Sequence, residues 1–250
     1  MKIFAVSDIH SFYTYFKKAL DKSGFEVGNK NHLLVVLGDC FDRGDESQKV
    51  LDFLLSVPNK VLIRGNHEYL VEELCNRGYP LGHDYRNGTV KTVVDLDLET
   101  NDFSKACETT MTKLKPLLDQ MVNYFETDKY IFVHSWIPCV SDGKPMYYTK
   151  DRCFKYEPDW RNASVKNWEE ATWGNPLLMA ENDLNQTGKI IVSGHWHCSS
   201  GWAKEAGIPE FGYGSCCEPY YYKDKLIMID ACTAATKAVN ILVLEDDLIE

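Results

Sequence analysis

The stretch His32-Leu33-Leu34-Val35-Val36-Leu37-Gly38-Asp39-Cys40-Phe41-Asp42-Arg43-Gly44 decides the fold. Its first half is a near-continuous apolar run, the pattern of a strand buried on both faces. Its second half breaks that run with glycine, two aspartates and an arginine, so charged groups leave the end of a buried strand together. Loops at the carboxyl ends of such strands are where α/β folds build sites. Working outward, Lys2–Val6 reads as the preceding strand and leads into Asp8-Ile9-His10. Val61–Ile63 reads as the next and leads into Gly65-Asn66-His67-Glu68. Phe12–Ser23, Asp45–Ser56 and His67–Cys75 carry apolar residues at helical spacing. The first third is therefore β-α-β-α-β-α, an α/β start.

Later strands are expected at Tyr130–Val133, Lys189–Val192, Leu226–Ile229 and Val239–Leu244. The first is followed by His134 and the second by Gly194-His195-Trp196-His197. Residues 90–126 read as mainly helical, interrupted only at Pro116, and 137–188 as loop-rich, with short helices near Asn167–Ala171 and Leu177–Asp183. With no repeat or linker, residues 1–250 read as one domain with a helical insertion at about 90–126 and a loop-rich segment at about 137–188.

The 250 residues are 44% apolar, enough for a sizeable core, and carry a net charge of −10. That acidity disfavours a long nucleic-acid groove. It leaves room for a small phosphorylated substrate, because a local metal site can be positive inside an acidic protein. No apolar run reaches membrane length, no signal peptide precedes Ser7-Asp8, and the nine cysteines are irregularly spaced. The expectation is a soluble, cytoplasmic protein with reduced thiols, no membrane partner and an oligomeric state the sequence leaves open. Cys216-Cys217 reads as packing, and the closing Glu245-Asp246-Asp247 as a solvated chain end.

Each polar segment alone is a weak signal. Together they place carboxylates, an amide and several imidazoles after apolar strands. That donor mix suits manganese, iron or zinc better than calcium, which prefers oxygen ligands.

In this order and spacing, DIH, GDCFDRG, GNHE, a lone histidine after a strand and GHWH resemble the calcineurin-like metallophosphoesterases, from residue 3 to about residue 243. DRG and GNHE resemble the phosphoprotein phosphatase branch, including its small bacterial and phage serine/threonine enzymes. The final His-x-His is more like the phosphodiesterase branches. The resemblance implies an α/β fold of two packed mixed β-sheets flanked by helices. It also implies two divalent ions, manganese foremost, with iron, zinc, nickel or cobalt as alternatives. Asp8 and His10, with His197, would bind the first ion, Asp39 would bridge, and Asn66, His134 and His195 would bind the second. His67 would protonate the leaving oxygen, Asp42 would orient His67, and Arg43, with Asn66, would hold the phosphoryl group.

The activity so implied is a dinuclear metal-dependent hydrolase. Its first reading is attack of metal-bound hydroxide on a phosphate monoester, in a phosphoprotein or a small metabolite. The alternative, motivated by His197 and the tryptophans, is a phosphodiesterase or dinucleoside-polyphosphate hydrolase. An inactive phosphate- or nucleotide-binding module is the remote third. Ser11 stands where the family phosphatases carry Gly, and Ser135-Trp136 where they carry Gly-Gly, so the wall near the metals differs. Arg161 and Arg152 are regional candidates for a second phosphate-binding arginine, and Arg64 reads as an ion-pair partner. Glu68 reads as a helix N-terminal charge complement. The six tryptophans, all between residues 136 and 202, read as packing or as an aromatic mouth.

Overall fold

Alternation along each strand sets the layers. The computed structural model describes residues 1–97, 99–141, 154–212 and 216–246. Strands β1 (Lys2–Val6), β2 (His32–Val36) and β3 (Lys60–Leu62) run parallel, and β11 (Leu242–Glu245) adds antiparallel to β1. The second sheet has the order β4 (Tyr124–Glu126), β5 (Tyr130–Val133), β8 (Ile190–His197), β10 (Leu226–Asp230), β9 (Tyr220–Tyr222). Its three inner strands are parallel and its two edges antiparallel. A small ladder joins β6 (Cys139–Ser141) to β7 (Phe154–Tyr156).

Ile3, Ala5 and Val35 point to one side and meet Phe132, Val192 and Ile229 of the other sheet. The residues between them, Phe4, Leu34 and Val36, face Phe16 and Leu20 of α1 (Tyr13–Ser23) and Val50 and Leu54 of α2 (Ser47–Ser56). On the far side, Ile131, Ile191 and Met228 pack on Trp136, Trp160 and Trp168. Helices α7 (Val165–Ala171), α8 (Pro176–Glu181) and α9 (Cys198–Ala206) complete that layer. Two mixed sheets are thus stacked face to face between two helical layers, the expected architecture. Because both faces of each inner strand are covered, the strands read as unbroken apolar runs.

The middle differs from expectation in two respects. Helices α3 (Asn66–Arg77), α4 (Gly82–Asn87), α5 (Thr89–Leu96) and α6 (Phe103–Leu118) cover it, but residues 124–126 form strand β4. Pro116 does not end α6, which continues to Leu118, although its ring gives up the amide that would bond to the Thr112 carbonyl. Strand β8 runs on to His197 because its backbone keeps pairing with β10 beyond the apolar residues. A short α10 (Thr233–Thr236) follows β10. Asp246 is not solvated: it is buried and accepts from Thr127 Oγ1 at 2.7 Å and the Lys129 amide at 3.1 Å. None of the described cysteines is in a disulfide. No helix among the described residues is long and apolar enough to cross a membrane.

Leu34 lies fully buried between β2 and the helices. Leu34→Ala should destabilise by about 2–5 kcal/mol, whereas Val27→Ala, at a half-exposed loop position, should stay within about 0.5 kcal/mol. Urea titration of both variants distinguishes the two effects.

Candidate active site

All the inner strands of both sheets deliver their carboxyl ends to one edge, and there the backbone is unusual. Asp8, His10, Asp39, Asp42, Arg43 and His195 all have φ between 49° and 74°, the left-handed region that non-glycine residues avoid. Gly38 has φ +84°, and a Cβ there would lie 2.5 Å from the Gly65 nitrogen, so the loops after β2 and β3 touch backbone to backbone. One side chain ties them. The Glu68 carboxylate, fully buried, accepts from the amides of Asp39 (2.9 Å), Cys40 (2.9 Å) and Gly65 (2.8 Å). It does sit in the first turn of α3, and beyond that role it fastens the GDC loop to the helix start.

The sheets are also stitched to each other. His134, after β5, donates through Nδ1 to the Leu37 carbonyl of the first sheet at 2.6 Å. Asp8 Oδ2 accepts from the His195 amide at 2.9 Å and from the Ser7 hydroxyl. His10 Nδ1 donates to the Phe41 carbonyl at 2.8 Å, which leaves Nε2 as a lone pair 3.7 Å from both Asp8 Oδ1 and Asp39 Oδ2.

Two groups of donors result. Asp39, His134 and His195 each offer one atom within 4.8 Å of the others, and so do His10, Asp39 and His67. Asp39 belongs to both. These donors fit cations on two grounds. With Nδ1 of His134 committed to a carbonyl, its Nε2 lone pair faces Asn66 Oδ1 at 2.8 Å, an arrangement a shared cation resolves. Burial, partly offset by His67 and reinforced by Asp8 and Glu68, also pushes the Asp39 carboxyl well above its ordinary range. Burial lowers the His10 and His195 imidazoles well below theirs, with neighbouring histidines and Arg43 adding to the effect. Neutral imidazole is the form that ligates metal.

Beside the donors, His67 Nδ1 donates to Asp42 Oδ2 at 2.6 Å. Asp42 also accepts from Thr92 Oγ1 (2.6 Å) and Thr89 Oγ1 (2.8 Å), one turn apart on α5. Burial opposes protonation of His67, but the charges of Asp39 and Asp42 and the Asp42 hydrogen bond outweigh it and raise its pKa. His67 Nε2 lies 3.8 Å from Asp39 Oδ2 and 3.3 Å from Arg43 Nη2.

Other expected residues sit apart. His197 Nδ1 donates to Glu210 Oε1 at 3.0 Å, and its Nε2 is 4.0 Å from Asp230 Oδ2, so it falls in neither donor group. Arg161 is taken by Glu126 in a two-bond fork of 2.9 and 2.6 Å. Arg64 pairs with Glu72 and lies over Tyr69. Arg152 falls outside the described residues. Trp136, Trp160 and Trp168 are core, whereas Trp173 and Trp196 stand nearly perpendicular to the His195 ring, with ring centres 5.9 and 6.5 Å from its centre.

Three residues escaped sequence reading. Asp230 ends β10 fully buried, its carboxyl pushed up by burial and by Asp8. It carries the signal that marked Asp8 and Asp39, a carboxylate closing an apolar strand. Thr89 and Thr92 carry only a weak one, two hydroxyls three apart on a helix.

The calcineurin-like phosphoesterase family model matches residues 1–199. The chain belongs to this family. This phosphoesterase is 41% identical over 69 residues to a symmetrical bis(5'-nucleosyl)-tetraphosphatase of Buchnera aphidicola subsp. Schizaphis graminum, covering 27% of the chain and 24% of the relative. It therefore spans only about a quarter of the length of that relative. It is 27% identical over 162 residues to the asymmetrical bis(5'-nucleosyl)-tetraphosphatase PrpE of Bacillus subtilis, covering 58% of the chain and 62% of the relative. Among solved structures, the cold-active protein-tyrosine phosphatase of a psychrophilic Shewanella species superposes with a TM-score of 0.55 at 17% identity, over 98% of this chain and 75% of that one. At that identity the likeness is one of fold.

In the metal-free protein, NMR titration should place the His67 pKa above the usual 6.5. Asp42→Asn removes a charge that raises it, leaves burial less opposed, and should move it down. Manganese at a hundred times its dissociation constant should stabilise the fold by about 2.7 kcal/mol. Most of that gain should vanish in Asp39→Asn. Because the Asp39 carboxyl holds its proton to unusually high pH, metal must displace it, so calorimetric affinity should strengthen as pH rises.

Proposed function

We propose that this phosphoesterase is a metal-dependent hydrolase of nucleoside polyphosphates, cleaving a P–O–P bond. The carrying observation is the convergence at His67 Nε2, where a proton donor, a guanidinium and the carboxylate shared by both donor groups lie within 3.8 Å. The names of the relatives, both tetraphosphatases, support this reading over a phosphate monoester, the first reading of the sequence. Trp173 and Trp196 beside His195 add aromatic faces suited to a base.

Asp8, His10 and Asp39 would hold one ion and Asp39, Asn66, His134 and His195 the other. Glu210 orients His197 as outer carboxylates orient metal-bound imidazoles, with its Nε2 4.0 Å from Asp230 Oδ2 and the Cys232 thiol beside the ring. Manganese is the first choice. Bound divalent ions would supply an acidified water and neutralise the phosphoryl oxygens. The chain's own residues do the rest. Arg43 forks onto the phosphoryl group. Protonated His67 can no longer accept from Arg43, which frees the guanidinium for the anion. As hydroxide, formed by loss of a water proton to solvent, bonds to phosphorus and the bridging P–O bond breaks, His67 Nε2 would give its proton to the departing phosphate oxygen. Asp42, held by two threonines, keeps the imidazole aimed.

With manganese added, kcat/KM for a dinucleoside tetraphosphate should exceed those for an aryl phosphate, a bis-aryl phosphate and a phosphopeptide by at least about tenfold. An aryl phosphate or phosphopeptide at the head of that panel would restore the monoester reading. His67→Asn should lower turnover of the tetraphosphate by about 10²–10⁴. Activity on a well-activated aryl phosphate should fall less, and equal loss on both would exclude the acid role.

A further inference from the structure

A basic groove leads away from Arg43. It begins as a hollow of about 560 Å³ lined by Arg43, Lys91, Lys237, Phe12 and Tyr15. Tyr15 and Lys237 also line a second hollow of about 540 Å³, between α1 and the chain leading into β11. Lys18 and Lys22 lie on that wall, one turn apart and on the same face of α1 as Tyr15. From Tyr15 to Lys22 the helix advances about 10 Å. Five cations thus line a path that starts where Arg43 touches His67. Three carboxylates share the lining, Asp45, Glu46 and Glu218. Glu46 is already engaged by Thr14 and by Lys49 at 2.9 Å. Lys91 Nζ donates to the Arg43 carbonyl at 2.7 Å, and Lys237 Nζ donates to the Ala234 carbonyl at 2.9 Å and lies 4.3 Å from the Phe12 ring centre, so both ammonium groups are held at the lining. In a chain of net charge −10, these five cations against three carboxylates leave the lining with a positive balance.

We infer that this groove binds the far, non-reacting phosphates of a polyphosphate substrate whose reacting phosphoryl group sits at Arg43. The inference rests on the polyphosphate-hydrolase reading and names where the remainder of the substrate lies. Lysines suit the task, because flexible point charges follow a phosphate chain that has no fixed orientation. The groove is short and the protein acidic, so the occupant is a small polyanion rather than a nucleic-acid strand.

The test is the double variant Lys18→Glu/Lys22→Glu, two exposed helix positions outside the catalytic cluster. Lys105→Glu/Lys115→Glu on α6 is the control with the same change in net charge. With manganese in excess, KM for a dinucleoside tetraphosphate should rise at least about fivefold in the groove variant and stay within about twofold in the control. kcat/KM for an aryl monophosphate should stay within twofold in both. Calorimetric titration with inorganic tripolyphosphate, added as its magnesium complex, should show the same selective loss. Equal KM effects in groove and control variants, or unchanged tripolyphosphate binding in the groove variant, would overturn the inference. If wild-type protein hydrolyses no dinucleoside tetraphosphate, the polyphosphate-hydrolase reading fails. Tripolyphosphate binding lost only in the groove variant would still support the groove.

Discussion

The three hydrogen bonds accepted by the Glu68 carboxylate hold this site in shape. They join the amides of Asp39, Cys40 and Gly65, three groups that leave two different strands and have no partner in either sheet. A buried carboxylate that loses such donors is strongly destabilised, and so are the donors it leaves behind. The left-handed backbone at Asp39 persists because the structure around it over-determines the loop. Once that loop is placed, Asp39 Oδ1 receives the His67 amide at 3.0 Å, and the shared carboxylate and the proton donor acquire one geometry.

Around that clamp the molecule divides its labour between sheets. The first sheet supplies carboxylates, the guanidinium and the His67–Asp42 pair. The second supplies the imidazoles of His134 and His195. The inter-sheet cluster is built of aliphatic and aromatic side chains, whose packing is non-directional. Registry comes from polar contacts at the rim, above all His134 to the Leu37 carbonyl and the His195 amide to Asp8. Concentrating those contacts at one edge, where both sheets end in parallel strands, explains why the strained backbone gathers there too.

The helical middle of the chain contributes more than cover. Helix α5 brings Thr89 and Thr92 to Asp42, so the orientation of His67 depends on a segment with no recognisable motif. Gly88, which precedes α5, lies so close to the Arg43 backbone that a Cβ would overlap it. The same segment therefore supports both the proton donor and the anion-binding arginine, and Lys91 on α5 extends that support toward the groove.

How much was legible beforehand follows from periodicity and from strand ends. Strands with both faces buried must be apolar throughout, so β1, β2, β5 and β10 stand out in the sequence, and the polar residues after them mark the site edge. Asp8, His10, Asp39, Asn66, His67 and His134 were visible for that reason. Asp230 carried the same mark and was passed over, because no histidine or second carboxylate followed it. Arg161 was regionally plausible and is spent on Glu126, a partner 35 residues away. Tryptophans 136, 160 and 168 are core while 173 and 196 border the site, a division that composition does not encode. Local sequence determined which segments are strands and which side chains leave their ends, since both depend on neighbours a few residues apart. Only the tertiary structure decided which of those side chains meet, which arginine borders the donor cluster, and that scattered lysines line one groove, because each of these depends on packing between residues far apart in the chain.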